Sequence, residues 1–553
     1  MAKNNYQNWS KEELVAEIER LKKRKKYGLV WEEKPEDVVE LCKTKLPILK
    51  EVKSKEIITD KNKPVNLLIE GDNYHALSVL NYTHQNKIDV IYIDPPYNTG
   101  NKDFKYNDKY VDLEDGYRHS KWLAFMEKRL KLAKNLLKDT GIIFISIDDN
   151  EQAQLRVLCN EIYGENNFVV NLVWENKEGG GSSDSKHFKI KHEYILVYAK
   201  DINTLSIKGS DIEDEDRYCL EDKYAKKRGK YQLVKLNSAS IQYSKSLDYP
   251  IKSPNGKNIF PSYGNKQACW RWSKAKLEWG IKNDFVVIKK DKNEDWAVYT
   301  KQYLKVDNEG NPIEREKRPI GVIPYYSTTM ANKQLENIFH KKTFDYSKPY
   351  LLIKYLVDRY ENNNAIVLDF MAGSGTTGQS VLELNKEDKG NRQFILCTNN
   401  ENNICTDVCY PRIEKVIKGY KNSNNEKIAG LEGNLKYFRT DFVDAEPTDK
   451  NKRKLTEQAT EMLCIKEGTF EPVLENKKIK IFKNGNHYTG IIFDQLVIPD
   501  FKKKIKDIKA KFSVYVFSLG DDTFDEEFED MKKKVKLSPI PEAILRVYRR
   551  IFI

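Results

Sequence analysis

The sequence Val90-Ile91-Tyr92-Ile93-Asp94-Pro95-Pro96-Tyr97 joins a short apolar run to a polar, proline-rich turn. The run is β-branched and aromatic, which is typical of a buried strand. In open α/β sheets, ligands bind beyond the carboxyl ends of the strands. The stretch therefore predicts a strand of such a sheet with a candidate functional residue, Asp94, directly after it.

Short apolar runs alternate with helical patterns on both sides of this strand. Residues 65–70, 89–93, 142–147 and 192–199 have the composition of strands, and residues 122–138 have that of an amphipathic helix. A strand, helix, strand pattern returns at residues 365–370, 376–384 and 393–397. This alternation predicts a doubly wound α/β sheet.

Residues 201–342 interrupt the alternation. They contain 27 Lys and Arg against 19 Asp and Glu, a net charge of +8 out of the chain's +12. They also contain half of the chain's eight tryptophans, namely Trp270, Trp272, Trp279 and Trp296. A tryptophan is more often part of a core than a contact, but the charge suits a polyanionic partner. We predict a basic, aromatic insert within the α/β domain.

Composition excludes several classes of protein. The 553 residues exceed one domain, and 39% apolar residues suffice for a sizeable core. No apolar run approaches the roughly 18 residues that cross a bilayer, and the charged N-terminus is unlike a secretory signal. The eight cysteines form neither a CxxC pair nor a zinc-finger spacing. We therefore expect a cytoplasmic protein with no membrane segment and no metal site.

The tetrapeptide Asp94-Pro95-Pro96-Tyr97 can bind an exocyclic amino group. The Asp94 carboxylate can accept one hydrogen bond, and the Pro95 carbonyl can accept a second without a competing local N–H. Tyr97 supplies a flat face on which an extruded base could stack. The alternative interpretation is a Pro-Pro surface turn with a capping Asp.

A second motif, Asp369-Phe370-Met371-Ala372-Gly373-Ser374-Gly375-Thr376-Thr377-Gly378, follows a predicted strand and opens a helix. Its glycines let the backbone turn sharply and let a cofactor approach closely. No Lys follows the last glycine, so it is not a Walker loop, but a dinucleotide-binding enzyme would fit it equally well. An acid about 20 residues further on usually holds a ribose. The next strand instead ends near residues 399–401, Asn-Asn-Glu, where the acid is displaced or replaced by amides. The identity of the ribose-binding residue therefore stays open.

Together the two motifs resemble those of the DNA amino-methyltransferases, in which D-P-P-Y is the catalytic motif and F-x-G-x-G the cofactor motif. Asp94 precedes Asp369 by 275 residues, which is the β-class order with a large insert between the motifs. The resemblance implies a Rossmann-like methyltransferase sheet with permuted motif order and an inserted target recognition domain. It also implies S-adenosylmethionine as cofactor and N6 of adenine as acceptor.

The resemblance extends to Glu70-Gly71-Asp72-Asn73 and Lys348-Pro349, which line the cofactor pocket in the family. It implies a cofactor site made by three stretches, with the residues Asp72, Lys348, Pro349, Asp369, Phe370, Gly373, Gly375 and Thr376. Catalysis would fall to Asp94, Pro95, Pro96 and Tyr97. The basic residues among the insert's tryptophans, Arg271, Lys274 and Lys276, are the candidate DNA contacts.

Closer still, the chain resembles the modification subunits of type III restriction systems. The stretches that carry this resemblance are DPPYNTG at 94–100, HEYILVY at 192–198, CTNNEN at 397–402 and LSPIPEAIL at 537–545. It implies double-stranded DNA as substrate, a homodimer, and a restriction subunit as partner. Because the chain has no Walker loop, any ATP-driven step would belong to that partner.

The predicted organisation has five parts. They are an N-terminal helical extension (1–60), beginning with a helix capped at Ser10, a catalytic half (61–200), a target recognition domain (201–342), a cofactor-binding half (343–444) and a small C-terminal α/β domain (445–553). Asn484-Gly485 predicts a hairpin in the last part.

Other functions are weighed against this one. A stand-alone DNA amino-methyltransferase acting on adenine N6 or cytosine N4 stays open, as does a catalytically inactive DNA-binding protein on the same fold. Cytosine-C5 methyltransferases need a thiol after a proline, and no cysteine here follows a proline. A nicotinamide dehydrogenase would leave both Asp94-Pro95-Pro96-Tyr97 and the basic insert unexplained.

Overall fold

The computed structural model of the chain describes residues 34–552, apart from 61–62, 179–186, 210–216, 241, 264–265, 314, 316–317, 345–346 and 521, together with 10–12, 14–15 and 31–32. The chain divides into two compact units, one formed by Met1–Ile207 and Ile320–Ile553 and the other by Lys208–Pro319. Within the described ranges, no helix has both the length and the apolar character needed to span a membrane.

The larger unit is built on a ten-stranded sheet. Its strands in chain order are β1 (Lys45–Glu51), β2 (Val65–Glu70), β3 (Ile88–Ile93), β4 (Leu137–Ile147), β5 (Phe168–Glu175), β6 (His192–Ala199), β7 (Val322–Ile323), β8 (Ile366–Asp369), β9 (Gln393–Thr398) and β10 (Asn434–Asp444). Across the sheet they lie in the order β1-β10-β2-β9-β8-β3-β4-β6-β5-β7. The six strands from β10 to β4 are parallel, whereas β1 and β6 run antiparallel to the strands beside them.

Helices cover both faces of this sheet. The helices of the larger unit are α1 (Asp37–Leu41), α2 (Asn73–Thr83), α3 (Arg118–Leu136), α4 (Gln152–Tyr163), α5 (Thr328–Phe339), α6 (Tyr350–Asp358), α7 (Thr376–Asp388), α8 (Tyr410–Lys418), α9 (Asp449–Glu457), α10 (Thr460–Glu467), α11 (Ile498–Ile505) and α12 (Glu542–Phe552). Of these, α11 packs against a second sheet instead. Alternate residues of one strand enter different cores, because side chains alternate along a strand. Leu67 and Ile69 pack with α2, α3 and α4, while Leu68 packs with α6, α7 and α8. The predicted doubly wound α/β fold is confirmed.

The strand order brings the two sequence motifs together. β8 lies between β9 and β3, with Leu368 of β8 opposite Ile91 of β3. Because β3 and β8 are parallel, their carboxyl ends meet at one edge of the sheet, and Asp94 and Asp369 lie on neighbouring strands there.

The C-terminal part of the larger unit forms a second sheet. Its strands are β11 (Glu471–Glu475), β12 (Ile479–Asn484), β13 (His487–Ile492), β14 (Lys511–Phe517) and β15 (Val535–Ile540), in that order. The predicted hairpin is present, with Asn484 opposite His487. Its two-residue loop is therefore Gly485-Asn486, one residue later than predicted, and Gly485 has a φ of +55°.

The N-terminal part contributes to the main sheet, although it was predicted as a helical extension. Strand β1 pairs with β10 along its whole length, from Lys45 opposite Asp444 to Glu51 opposite Phe438. The Tyr548 hydroxyl of α12 donates to the Pro47 carbonyl at 2.5 Å. The predicted helix after Ser10 lies mostly outside the described residues.

The smaller unit, Lys208–Pro319, carries 24 Lys and Arg against 17 Asp and Glu, a net charge of +7. It has a three-stranded sheet in the order Val286–Lys290, Trp296–Tyr303, Tyr231–Lys235, and the helix Lys274–Lys282. Trp270 and Trp272 are buried in its core. The unit is shorter than the predicted insert, because β7 and α5, which lie between residues 320 and 342, belong to the larger unit.

Candidate active site

Asp94 lies directly beyond the fully buried strand β3 and is bound by a lysine. Lys348 Nζ donates to Asp94 Oδ1 at 2.9 Å and to Oδ2 at 3.0 Å. The Lys348 side chain is only 9% exposed and that of Asp94 is 26% exposed. The structure thus joins Lys348, predicted as a cofactor contact, to the predicted catalytic carboxylate.

A second carboxylate, Glu193, completes this cluster. Its Oε2 accepts a hydrogen bond from the Tyr97 hydroxyl at 3.0 Å and lies 3.5 Å from Lys348 Nζ. Its Oε1 accepts from Asn176 Nδ2 at 2.6 Å. Lys348 Nζ also lies 4.8 Å from the centre of the Tyr97 ring. The sequence motifs predicted no role for Glu193. The residue was noted only as part of the HEYILVY stretch at 192–198.

The direction of strand β6 explains how Glu193 reaches this edge. Because β6 runs antiparallel to β4, its first residues lie beside the carboxyl end of β4, with Tyr194 opposite Ile147. Glu193 therefore enters from the start of a strand, whereas Asp94 follows the end of one.

Burial and neighbouring charges shift the pKa values of Asp94 and Lys348 in opposite directions. Burial raises the pKa of Asp94, and the Lys348 ammonium partly offsets that rise. Burial lowers the pKa of Lys348, but the Asp94 and Glu193 carboxylates outweigh burial and hold the pKa above its ordinary value. Lys348 is accordingly an ammonium at neutral pH, shared by two acidic side chains.

The two prolines have different roles. The Pro96 carbonyl accepts a hydrogen bond from Trp122 Nε1 at 2.7 Å, and Trp122 is a core residue of α3. Among the residues that the structure describes, none donates a hydrogen bond to the Pro95 carbonyl. Pro96 therefore anchors the turn to the core, and the Pro95 carbonyl is the acceptor that remains for a ligand.

The glycine-rich turn is organised by its own aspartate. Asp369 Oδ1 accepts from the Met371 amide at 3.0 Å, and Oδ2 accepts from the Thr377 hydroxyl at 2.5 Å. Burial raises the pKa of Asp369 to about 7. Gly373 and Gly375 have φ values of +48° and +78°, a region that residues with a Cβ rarely adopt. The turn therefore favours glycine at both positions.

Buried side chains support this turn from behind. Arg412 donates from Nη1 to Thr376 Oγ1 at 2.8 Å and to Ser374 Oγ at 3.1 Å, and burial lowers its pKa to about 10. Phe370 is fully buried in the core. Thr376 and Phe370, both predicted cofactor contacts, thus direct their side chains into the protein, which leaves their backbone groups for a ligand.

The remaining predicted cofactor residues lie at helix starts. Asp72 caps α2 by accepting from the Tyr74 amide at 2.7 Å, and its other oxygen lies 3.6 Å from the Arg129 guanidinium. Pro349 is the residue before α6 and follows Lys348 directly. Asp72 is therefore partly committed to local structure.

The predicted DNA contacts belong to the smaller unit and differ in their surroundings. Arg271 and Lys274 are exposed. Lys276 donates to Glu309 Oε1 at 3.1 Å and lies 5.4 Å from the centre of the Trp272 ring. Arg271 and Lys274 are thus the more accessible cations.

Within the described part of the chain, no group of three or more His, Cys, Asp or Glu side chains is arranged to hold a metal ion.

Comparison with known proteins gives a consistent result. The family described as DNA methylase (N6_N4_Mtase) matches residues 88–439, which is well over half of the chain. The chain is 36% identical over 382 residues to the type III restriction-modification enzyme EcoPI Mod subunit of Escherichia phage P1, covering 61% of this chain and 58% of that protein. It is 34% identical over 351 residues to the type II methyltransferase M.KpnI of Klebsiella pneumoniae, covering 62% of this chain and 82% of that protein.

A solved structure, the PvuII DNA methyltransferase (cytosine-N4-specific), is similar at 10% identity with a TM-score of 0.32, covering 65% of this chain and 93% of that chain. The chain spans little more than half the length of the type III relative given above. The resemblance to the DNA amino-methyltransferases, predicted from the two motifs, is confirmed by the family match. The chain belongs to the N6/N4 DNA methylase family.

Proposed function

We propose that this chain is a site-specific methyltransferase that transfers a methyl group from S-adenosylmethionine to N6 of adenine in duplex DNA. The observation that carries the proposal is the position of Asp94-Pro95-Pro96-Tyr97 at the end of β3, beside the glycine-rich turn at the end of β8. An acceptor for an amino group and a turn suited to a nucleoside cofactor therefore share one edge of the sheet.

The glycine-rich turn fits S-adenosylmethionine. A Cβ built on Gly373 would meet only the Phe344 ring, at 3.6 Å, so the backbone there is open to close approach. Gly375 comes directly before α7, whose first amides supply donors at a helix start. Lys348, which the family resemblance makes a cofactor contact, lies at the same edge, but its ammonium binds Asp94 and lies 3.5 Å from Glu193, so these two carboxylates balance its charge. When bound, S-adenosylmethionine would supply an electrophilic methyl group and leave as S-adenosylhomocysteine, and the methylated nitrogen would lose one proton to solvent.

The protein's part in the reaction is to hold the target base. The base leaves the duplex and enters the site, as in other enzymes that act on a base. Asp94 and the Pro95 carbonyl accept hydrogen bonds from its amino group, which directs the nitrogen lone pair at the methyl carbon. Tyr97 stacks on the base, and its hydrogen bond to Glu193 fixes the ring's orientation.

Within this family we favour adenine and a type III system, because relatives at 30–36% identity are named type III Mod subunits. A restriction subunit is then the expected partner, and action on chromosomal DNA places the enzyme in the cytoplasm. A stand-alone enzyme, or one that methylates N4 of cytosine, is the second candidate.

Single-molecule sequencing of DNA from cells that express the chain tests this proposal. We expect N6-methyladenine at one recurring sequence, absent from cells that carry the Asp94→Ala variant. Methylation of cytosine N4 instead would identify the second candidate, and no methylated base in any sequence would contradict the proposal.

A homodimer is also proposed, from the type III resemblance. Light scattering of the purified chain at micromolar concentration should give about twice the 64.7 kDa chain mass. A mass equal to one chain at that concentration would contradict the dimer.

A further inference from the structure

Lys348 occupies the oxygens that the target amino group needs. Its ammonium binds both oxygens of Asp94, at 2.9 and 3.0 Å. A charged N–H donor binds a carboxylate more strongly than a neutral amino group does. Each Asp94 oxygen can still accept a second donor, but the arriving amino group competes with the stronger one, so its hydrogen bond strengthens if the ammonium moves to another acceptor.

Glu193 lies where such an acceptor is needed. Its Oε2 is already 3.5 Å from Lys348 Nζ, so a small rotation of the lysine completes a hydrogen bond. Asn176 and Tyr97 hold Glu193 from two sides, at 2.6 and 3.0 Å, so the carboxylate itself has no need to move. The Glu193 side chain is 18% exposed, which keeps its charge poorly screened.

We propose that Glu193 is a positioning residue that takes the Lys348 ammonium from Asp94 when the target amino group arrives. The inference rests on the proposed function, because it names a residue for that reaction. The exchange makes and breaks only hydrogen bonds, and it leaves the total charge of the cluster unchanged. Positive charge develops on the target nitrogen during transfer. It then faces an Asp94 carboxylate that no longer binds the Lys348 ammonium.

The test is a double-mutant cycle between Glu193 and Lys348, followed by the single-turnover rate of methyl transfer at saturating S-adenosylmethionine. Glu193→Gln removes the charge and keeps one oxygen that can accept from Tyr97, while its amide nitrogen replaces the oxygen that accepts from Asn176. We expect it to slow transfer by about tenfold or more, because the ammonium stays on Asp94, with little change in the KM for the cofactor.

Removing the lysine should then release Asp94. We expect the Glu193→Gln/Lys348→Met double variant to be faster than Glu193→Gln alone, by about threefold or more. Tyr97→Phe breaks the hydrogen bond to Glu193 but keeps both its charge and the ring. Adding Lys348→Met to Tyr97→Phe should therefore give no such recovery.

The outcomes separate this inference from the proposed function. A wild-type chain that methylates no DNA overturns both. A wild type that methylates, combined with a double variant no faster than Glu193→Gln, overturns the inference alone. Equal recovery in the Tyr97→Phe background would also overturn it, because Glu193 would then act through Tyr97. Thermal unfolding of each variant confirms that the rates compare folded proteins.

Discussion

Asp94 is the residue on which the proposed chemistry depends most directly. We expect Asp94→Ala to lower methyl transfer by about 10³-fold, because a preorganised acceptor is lost where charge develops. DNA affinity should stay within about twofold, since most of it comes from phosphate contacts. Methyl incorporation and DNA binding at fixed salt measure the two effects. Asp112→Ala, which removes an exposed carboxylate, is the control, and near-normal turnover by Asp94→Ala would contradict the assignment.

Glu151 gives a second residue-scale prediction, on stability. This buried side chain accepts from Asn98 Nδ2 at 2.5 Å and contacts His119 Nδ1 at 2.7 Å. Burial raises its pKa from 4.5 to about 8, with Asn98 and Arg118 partly opposing the rise. The folded state therefore holds the proton more tightly than the unfolded state does. The resulting stabilisation is complete below the ordinary pKa and is lost as pH rises towards 8.

Glu151→Gln removes this titration. We expect the free energy of unfolding of the variant to increase relative to that of the wild type as pH rises from about 5 to about 8. Urea unfolding at both pH values measures the change. Glu161→Gln alters an exposed side chain on α4, the helix that Glu151 precedes, and should show no such trend. A difference independent of pH would show that Glu151 is charged in the folded protein.

At the scale of elements, the start of α7 depends on glycine. Gly375 has a φ of +78°, and a Cβ there would lie 3.0 Å from Sγ of the buried Cys409. We expect Gly375→Ala to cost about 2 kcal/mol of unfolding free energy and to weaken S-adenosylmethionine binding. Calorimetry and denaturant unfolding measure the two quantities.

Gly485 is the matched control, because it has a φ of +55° with nothing within 4 Å of its Cβ position. Gly485→Ala should cost only about 1 kcal/mol, from backbone strain, with cofactor affinity unchanged. If both variants bound the cofactor like the wild type, the glycine-rich turn would not be the cofactor site.

At the scale of the whole molecule, we expect the two compact units to have different functions, DNA recognition in one and methyl transfer in the other. Lys208–Pro319 has its own core and a net charge of +7, and it contains none of the catalytic or cofactor residues. We expect replacement of this segment by that of a related enzyme to move methylation to a new sequence while adenine stays the target. Single-molecule sequencing measures the change.

Deletion of the same segment is the companion experiment. The remaining chain should fold, bind S-adenosylmethionine and methylate duplex DNA poorly, because the phosphate and base contacts are lost. A chimera that still methylated the original sequence would place recognition in the larger unit instead.

The sequence by itself determined the features that depend only on residues close together in the chain. An apolar run before Asp94-Pro95-Pro96-Tyr97 specifies a buried strand with a polar end, and the glycines after Asp369 specify a turn with positive φ values. The alternation of strands and helices specified the α/β class. These features could be predicted because each depends on the spacing and backbone preferences of adjacent residues.

Only the tertiary structure decided which side chains share the site. Asp94, Glu193 and Lys348 come from three distant parts of the chain. Glu193 reaches the edge because β6 runs antiparallel to β4, and the glycine-rich turn lies beside Asp94 because β8 pairs with β3. Residues 320–342 belong to the larger unit, where they add the strand β7 to the sheet. This strand has only two residues, which is too short for a residue pattern to predict it. Strand order and direction arise from packing across the whole sheet, and no local pattern of residues encodes them.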